Sequence, residues 1–135
     1  IGLEVDLRKE EWSGYLKLTK NGEHQMCVLG WSPDVLDADN YLYVLLSKDG
    51  AVKGSANNFS FYRSDAFQDK VALARSSYDP AARIRLYAEA QRIAFDDAPN
   101  VPLIAMPRTA AMSAKVEGFV LDPISSPRFA WTSKK

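Results

Sequence analysis

Gln25-Met26-Cys27-Val28-Leu29-Gly30-Trp31 is a short apolar run, partly β-branched, and it reads as a buried strand. Loop chemistry follows at once. Between Ser32 and Asn40, the residues Pro33, Asp34, Asp37, Asp39 and Asn40 are turn and cap formers. Upstream, Trp12, Tyr15 and Leu16 fall at helical spacing, and Asn21-Gly22 supplies a stop. Before them, the opening Ile1-Gly2-Leu3-Glu4-Val5 leads into an alternation of Leu3, Val5 and Leu7 with charged residues, the period of a half-buried strand. Strand, helix and strand in about 30 residues predict a right-handed βαβ crossover with parallel strands.

Downstream of the loop, the pattern turns helical. Asp39 is a candidate cap for a short helix carrying Tyr41, Leu42, Leu45 and Leu46, closed by Asp49-Gly50. Gly54 to Asn58 is a polar connection. Ser64 is an N-cap candidate for a helix with an apolar stripe at Phe67, Val71 and Ala74. Asp79-Pro80 marks the next start, a capping carboxylate followed by proline at the first helical position. The predicted buried face is Ile84, Tyr87, Ala90 and Ala94, with Asp96 and Asp97 opposing the helix dipole at the far end. Pro99 and Pro102 stop the helix. Strands are predicted for Val101 to Met106, Ala110 to Ala114, Val116 to Leu121 and Phe129 to Trp131. The fold class is α/β.

Composition narrows the function. The 135 residues are 47% hydrophobic and 25% charged, an ordinary globular balance. Seventeen basic and seventeen acidic side chains cancel, which gives no electrostatic reason to expect nucleic acid as a partner. Cys27 is the single cysteine, so no intrachain disulfide forms, and its place in an apolar run suits a small buried hydrophobe. No stretch is long and apolar enough to cross a bilayer, and no signal peptide is visible. A chain that opens in mid-strand without methionine reads as a piece of a longer one.

Constellations for chemistry are missing. His24 is the only histidine, and His24 with Cys27 falls short of a metal site. There is no nucleophile elbow and no phosphate-cradling glycine loop. Asp34, Asp37 and Asp39 resemble a carboxylate cluster without the glycine and distal glutamate of a calcium loop. Neither catalytic residues nor a cofactor are expected. Asn58-Phe59-Ser60 matches a glycosylation acceptor, a pattern that arises often by chance.

Three ordered motifs carry a family resemblance. They are Leu29-Gly30-Trp31-Ser32-Pro33-Asp34 with Asp37-Ala38-Asp39-Asn40-Tyr41-Leu42, then Asp79-Pro80-Ala81 through Gln91 to Val101-Pro102-Leu103, and finally Val116-Glu117-Gly118-Phe119-Val120. In this order the sequence resembles the family 5 bacterial extracellular solute-binding proteins, which include dipeptide- and oligopeptide-binding proteins. The resemblance implies the C-terminal lobe of a two-lobe, type II-like periplasmic binding protein. Residues 1–113 would form part of the ligand-binding lobe, and 114–135 an extended segment returning to the first lobe.

The resemblance also implies a site. Asp34 stands where the family's aspartate pairs with a peptide's N-terminal ammonium, and Trp31 where its tryptophan lines a side-chain pocket. Ser32 would add a hydroxyl or main-chain bond, while Asp37 and Asp39 serve the loop and the helix cap. The implied role is solute capture outside the cytoplasm by a monomeric protein that delivers a small peptide to the membrane permease of an ABC importer. It would lie in a periplasm, or be lipid-anchored outside a single-membrane cell. Other readings keep the family with a nickel chelate, opine, sugar or glutathione as ligand, use the aspartates as an enzyme's carboxylate pair, or need no small ligand.

Overall fold

The computed structural model describes residues 2–122, 124 and 127–135. Ile1, part of the expected first strand, lies outside the described residues, as do positions 123, 125 and 126 of the expected return segment.

Four α-helices form where cap chemistry and apolar period coincide. The first, α1, runs Trp12–Asn21 behind Glu11, whose carboxylate accepts the Ser13 N–H at 2.9 Å. It closes at Gly22 in the left-handed conformation (φ 70°), with Gly22 and Glu23 N–H groups returning to Thr19 and Leu18 carbonyls. The positive φ favours glycine at this position, and an added Cβ would also come within 2.9 Å of the outer edge of the Phe61 ring, which would have to shift.

Helix α2 covers Asp39–Leu46 and is followed by a 3₁₀ turn at Lys48–Gly50. Ala38, not Asp39, occupies its N-cap position. The Asp37 carboxylate does the capping work by accepting the Asp39 N–H at 2.9 Å. Helix α3, Asp65–Ser76, starts on the Ser64 hydroxyl, and helix α4, Pro80–Asp97, starts on the Asp79 carboxylate with Pro80 in its first turn. Both starts are as expected.

The core is the meeting of α2, α3 and α4. Leu42 and Leu46 from α2, Phe67, Val71 and Ala74 from α3, and Tyr87 and Ala90 from α4 are buried together. Full burial of a Leu, Val or Phe side chain contributes about 1.5–3 kcal/mol each. One expected core residue is not there: Ile84 is 73% exposed. The inward stripe of α4 instead passes through Leu86, Tyr87, Ala90 and Ile93. Arg83 takes the place on the stripe expected of Ile84, because its guanidinium reaches the Ala74 carbonyl at the end of α3 (2.8 Å).

The extended segments keep their alternation but not their ladders. From Met26 to Trp31, exposed residues 26, 28 and 30 alternate with half-buried 27, 29 and 31. A strand exists through its hydrogen-bonded neighbour, and the described residues supply none to 3–7, 25–31, 101–106 or 110–114. The expected βαβ ladder is therefore not formed within them. At Val28 a side chain stands in for a neighbour: the Tyr15 hydroxyl accepts the Val28 N–H at 2.9 Å and donates to the Val28 carbonyl at 3.0 Å.

The segment after Ser113 folds back on itself. Strand β1, Val116–Glu117, pairs antiparallel with β2, Ser133–Lys134, and a bridge joins Val120 to Arg128. Phe119 and Phe129 rings meet at 5.8 Å across the hairpin. The second strand lies two residues beyond the expected Phe129 to Trp131, because Thr132 N–H closes a turn on the Phe129 carbonyl (2.9 Å).

Candidate ligand-binding site

The loop from Trp31 to Ala38 joins an extended segment to α2, and three fastenings set its shape. The first is Asn40, in the first turn of α2. Its side-chain oxygen accepts both the Trp31 indole N–H (3.1 Å) and the Asp34 main-chain N–H (3.3 Å). The second is an ion pair in which Arg83 Nη2 reaches both oxygens of Asp37, at 2.9 and 2.7 Å. The third joins Asp39 to Arg75 Nε at 3.0 Å, with the same guanidinium 3.7 Å above the Tyr43 ring. Each fastening ties the loop to a helix of the core.

These partners sort the three aspartates by chemistry. Asp37 and Asp39 are neutralised by arginines from α4 and α3. Asp34 is exposed, and its carboxylate makes no hydrogen bond or ion pair among the described residues. Ser32 is likewise exposed, while Trp31 is half-buried with one ring edge anchored. The loop thus brings the Trp31 indole N–H and the main chain of Asp34, whose carboxylate is unpaired among the described residues, together on one acceptor oxygen. Such an arrangement suits a ligand with one positive group and an adjoining apolar part.

Beside the loop, Leu36 and Ala38 face Pro80, Ile84 and Gln91 across an open groove of about 440 Å³. Tyr87 forms part of its wall. Burial first, and then the charge of Asp39, pushes the Tyr87 phenol up, so it stays protonated at neutral pH.

A second open groove, of about 810 Å³, lies elsewhere, bordered by His24, Phe59, Phe61, Lys53 and Arg63. His24 Nε2 bonds the Phe59 carbonyl at 3.0 Å, which places the ring proton on that nitrogen. His24 and Cys27 do not assemble a metal site, and among the described residues no three His, Cys, Asp or Glu side chains do. Cys27 is half-buried rather than fully buried, and that burial pushes its thiol up, away from the reactive thiolate.

The Asn58 acceptor pattern is overturned. Asn58 is fully buried, and its amide donates to the Ser47 and Tyr62 carbonyls at 2.9 Å each. Its oxygen accepts from Ser60 Oγ (2.9 Å) and Tyr62 N–H (3.2 Å). No atom of this carboxamide is left for a glycan.

Two residues that position the loop, Arg75 and Arg83, are assigned no role by the sequence, and Asn40 is read there only as a turn or cap former. Asn40 stood inside the quoted motif and carried a local signal, being an amide in a helix's first turn. The arginines carried none, since Arg83 lies 46 positions from its partner Asp37.

No family model matches the chain. Among curated proteins, it is 36% identical over 134 residues to di/tripeptide-binding protein 4 of Pseudomonas aeruginosa, covering 99% of this chain and 25% of that protein. The chain therefore spans about a quarter of the length of the curated relatives it matches. Heme-binding protein A of Haemophilus influenzae is also similar, 32% identical over 96% of the chain.

Solved structures agree on the architecture. An ABC transporter-associated periplasmic binding protein of Helicobacter pylori in complex with peptide STSA superposes with TM-score 0.73 and 46% identity, over 76% of this chain and 20% of that one. A dipeptide-binding protein from Pseudoalteromonas sp. SM9913 in complex with Met-Leu superposes with TM-score 0.80 and 28% identity, over 93% of this chain and 24% of that one. The chain thus has the α/β fold of part of a two-lobe periplasmic binding protein. Its relatives are binding proteins rather than enzymes.

Proposed function

We propose that the chain is part of a family 5 solute-binding protein that captures peptides outside the cytoplasm and delivers them to an ABC importer. Its loop meets the ligand's N-terminal ammonium with Asp34, and Trp31 walls the neighbouring side chain. The observation that carries this reading is the state of Asp34. It is the one aspartate of the loop whose carboxylate has no partner among the described residues, and its main chain is fixed by Asn40. A peptide's ammonium is an obligatory charge, and a lone carboxylate in a closing cleft answers it with a charge-assisted bond. Hinge closure around the ligand, with the rest of the protein as the other wall, supplies exclusion of water.

The test uses the full-length protein carrying this chain. Its melting temperature is measured with free di- and tripeptides, Met-Leu among them, and with their N-acetylated twins. A ligand at 100 times its Kd stabilises by about 2.7 kcal/mol. Stabilisation by free peptides that disappears on acetylation is the expected outcome. Asp34→Ala then weakens binding about 10- to 150-fold, the equivalent of a charge-assisted bond of about 1.5–3 kcal/mol. Equal stabilisation by free and acetylated peptides would remove Asp34 from the role. Stabilisation by heme and by no peptide would transfer the chain to the ligand named for its Haemophilus relative.

A further inference from the structure

We propose that Asn40 is the positioning residue of the binding loop, its single side-chain oxygen setting Trp31 and Asp34 in fixed relation to each other; this rests on reading that loop as the ligand site. A carboxamide oxygen has two lone pairs in one plane, so two donors arriving at it are held in fixed relative direction. Here the donors are nine and six residues away in sequence: the Trp31 indole N–H at 3.1 Å and the Asp34 main-chain N–H at 3.3 Å. They belong to the two residues whose main-chain placement decides whether one ligand can engage an aromatic wall and a carboxylate together.

The acceptor itself stands on rigid ground. Asn40 is the second residue of α2, and its own N–H donates to the Asp37 carbonyl at 3.1 Å. Two and six residues later, Leu42 and Leu46 lock the helix into the core at 6% and 3% exposure. Binding elements held by a supported acceptor need less ordering when ligand arrives, which is where affinity is gained without any contact to the ligand.

Neither fastening can be replaced from nearby. Asp37 and Asp39 are occupied by Arg83 and Arg75, and Asp34 cannot bond its own N–H while its carboxylate faces a ligand. Without Asn40 the half-buried indole loses its acceptor, and the loop from 31 to 36 is restrained at its C-terminal end alone.

Calorimetric titration of the full-length protein with Met-Leu tests this. Asn40→Leu keeps the volume and removes the acceptor, and it lowers affinity about tenfold with the melting temperature of the unliganded protein kept within a few degrees. Asn40→Asp keeps an oxygen in the same place and restores affinity to within about threefold of the unsubstituted protein. Because Asn40 acts through Trp31, adding Trp31→Phe to Asn40→Leu costs less than the two single losses combined. The Trp31 indole N–H resonance moves in Asn40→Leu and not in Asn40→Asp.

Affinity unchanged in Asn40→Leu, or losses that simply add, would overturn the inference while leaving peptide capture intact. Absence of Met-Leu binding by the unsubstituted protein, with every other peptide also failing, would overturn the functional reading and this inference with it. If Asn40→Leu does not fold, Asn40→Ser, whose hydroxyl is too short to span both donors, takes its place with the same expected loss.

Discussion

Replacing Asn58 with alanine should be among the most destabilising single changes available on the surface-loop side of the core. Asn58 is fully buried and uses its whole carboxamide, two donors and one twice-used acceptor, to join Ser47, Ser60 and Tyr62. Ser47 is itself fully buried, and without the amide its carbonyl keeps only the Gly50 N–H (3.2 Å), with no water to replace the second donor. An orphaned buried polar group costs about 1–3 kcal/mol. The Ser47 carbonyl keeps one donor, and the Tyr62 and Ser60 groups are nearer solvent and recover part of their loss, so the expected total is about 1–3 kcal/mol, against a whole-domain stability of about 5–15 kcal/mol.

The control is adjacent. Asn57 is exposed, and Asn57→Ala should stay within about 0.5 kcal/mol. Urea unfolding followed by tryptophan fluorescence reads both, with midpoint and slope compared to exclude a change in the unfolded state. A loss below about 0.5 kcal/mol for Asn58→Ala would refute the claim that this amide is an internal connector. The same outcome would reopen Asn58 as an accessible acceptor.

Two further outcomes are expected. Asp49 is held below the ordinary aspartate value of 3.8 by the Tyr43 hydroxyl and then Gln68, and Glu89 below the ordinary 4.5 by Lys70. Both folded values lie below the unfolded ones, so the stability these groups contribute is present above about pH 4.5 and is lost as pH falls through the folded values. Stability measured from pH 6 to 3 should decline, and less steeply in Asp49→Asn. In the hairpin, Gly118 has φ 73° and an added Cβ would fall 2.0 Å from the Trp131 carbonyl. Gly118→Ala should therefore unpair β1 from β2, seen as faster amide exchange at Glu117 and Ser133, and unchanged exchange would contradict the geometry.

Helix starts and stops were legible because they are local. Ser64, Asp79-Pro80 and Asn21-Gly22 each act on backbone groups within three residues, so residue type alone announces them. The period of 25–31 was legible too, and its alternation of exposure survives. Its ladder was not, since pairing depends on a neighbour from elsewhere, and at Val28 that neighbour is a tyrosine hydroxyl.

Ile84 shows the limit of hydrophobicity as a guide. The inward position went to Arg83, whose guanidinium has a carbonyl and Asp37 to satisfy, and no apolar scale carries that demand. In the candidate site, Trp31 and Asp34 are proposed from their motif. The arginine partners that separate Asp34 from Asp37 and Asp39 come from 36 and 46 positions away, Arg75 from Asp39 and Arg83 from Asp37.

The bond from position 34 to Asn40 is made by the main-chain N–H and not by the side chain. Any residue except proline can keep it. The loop is thus a socket in which the side chain at 34 is exchangeable while the mounting is not. Descent with change at this one position could alter the sign of the charge the loop presents and leave the frame of helices undisturbed. The same holds for Ser32, whose side chain is exposed and takes no part in the fastenings. On the proposed function, a protein built this way can widen its repertoire of solutes by single substitutions, each without an accompanying repair to the fold.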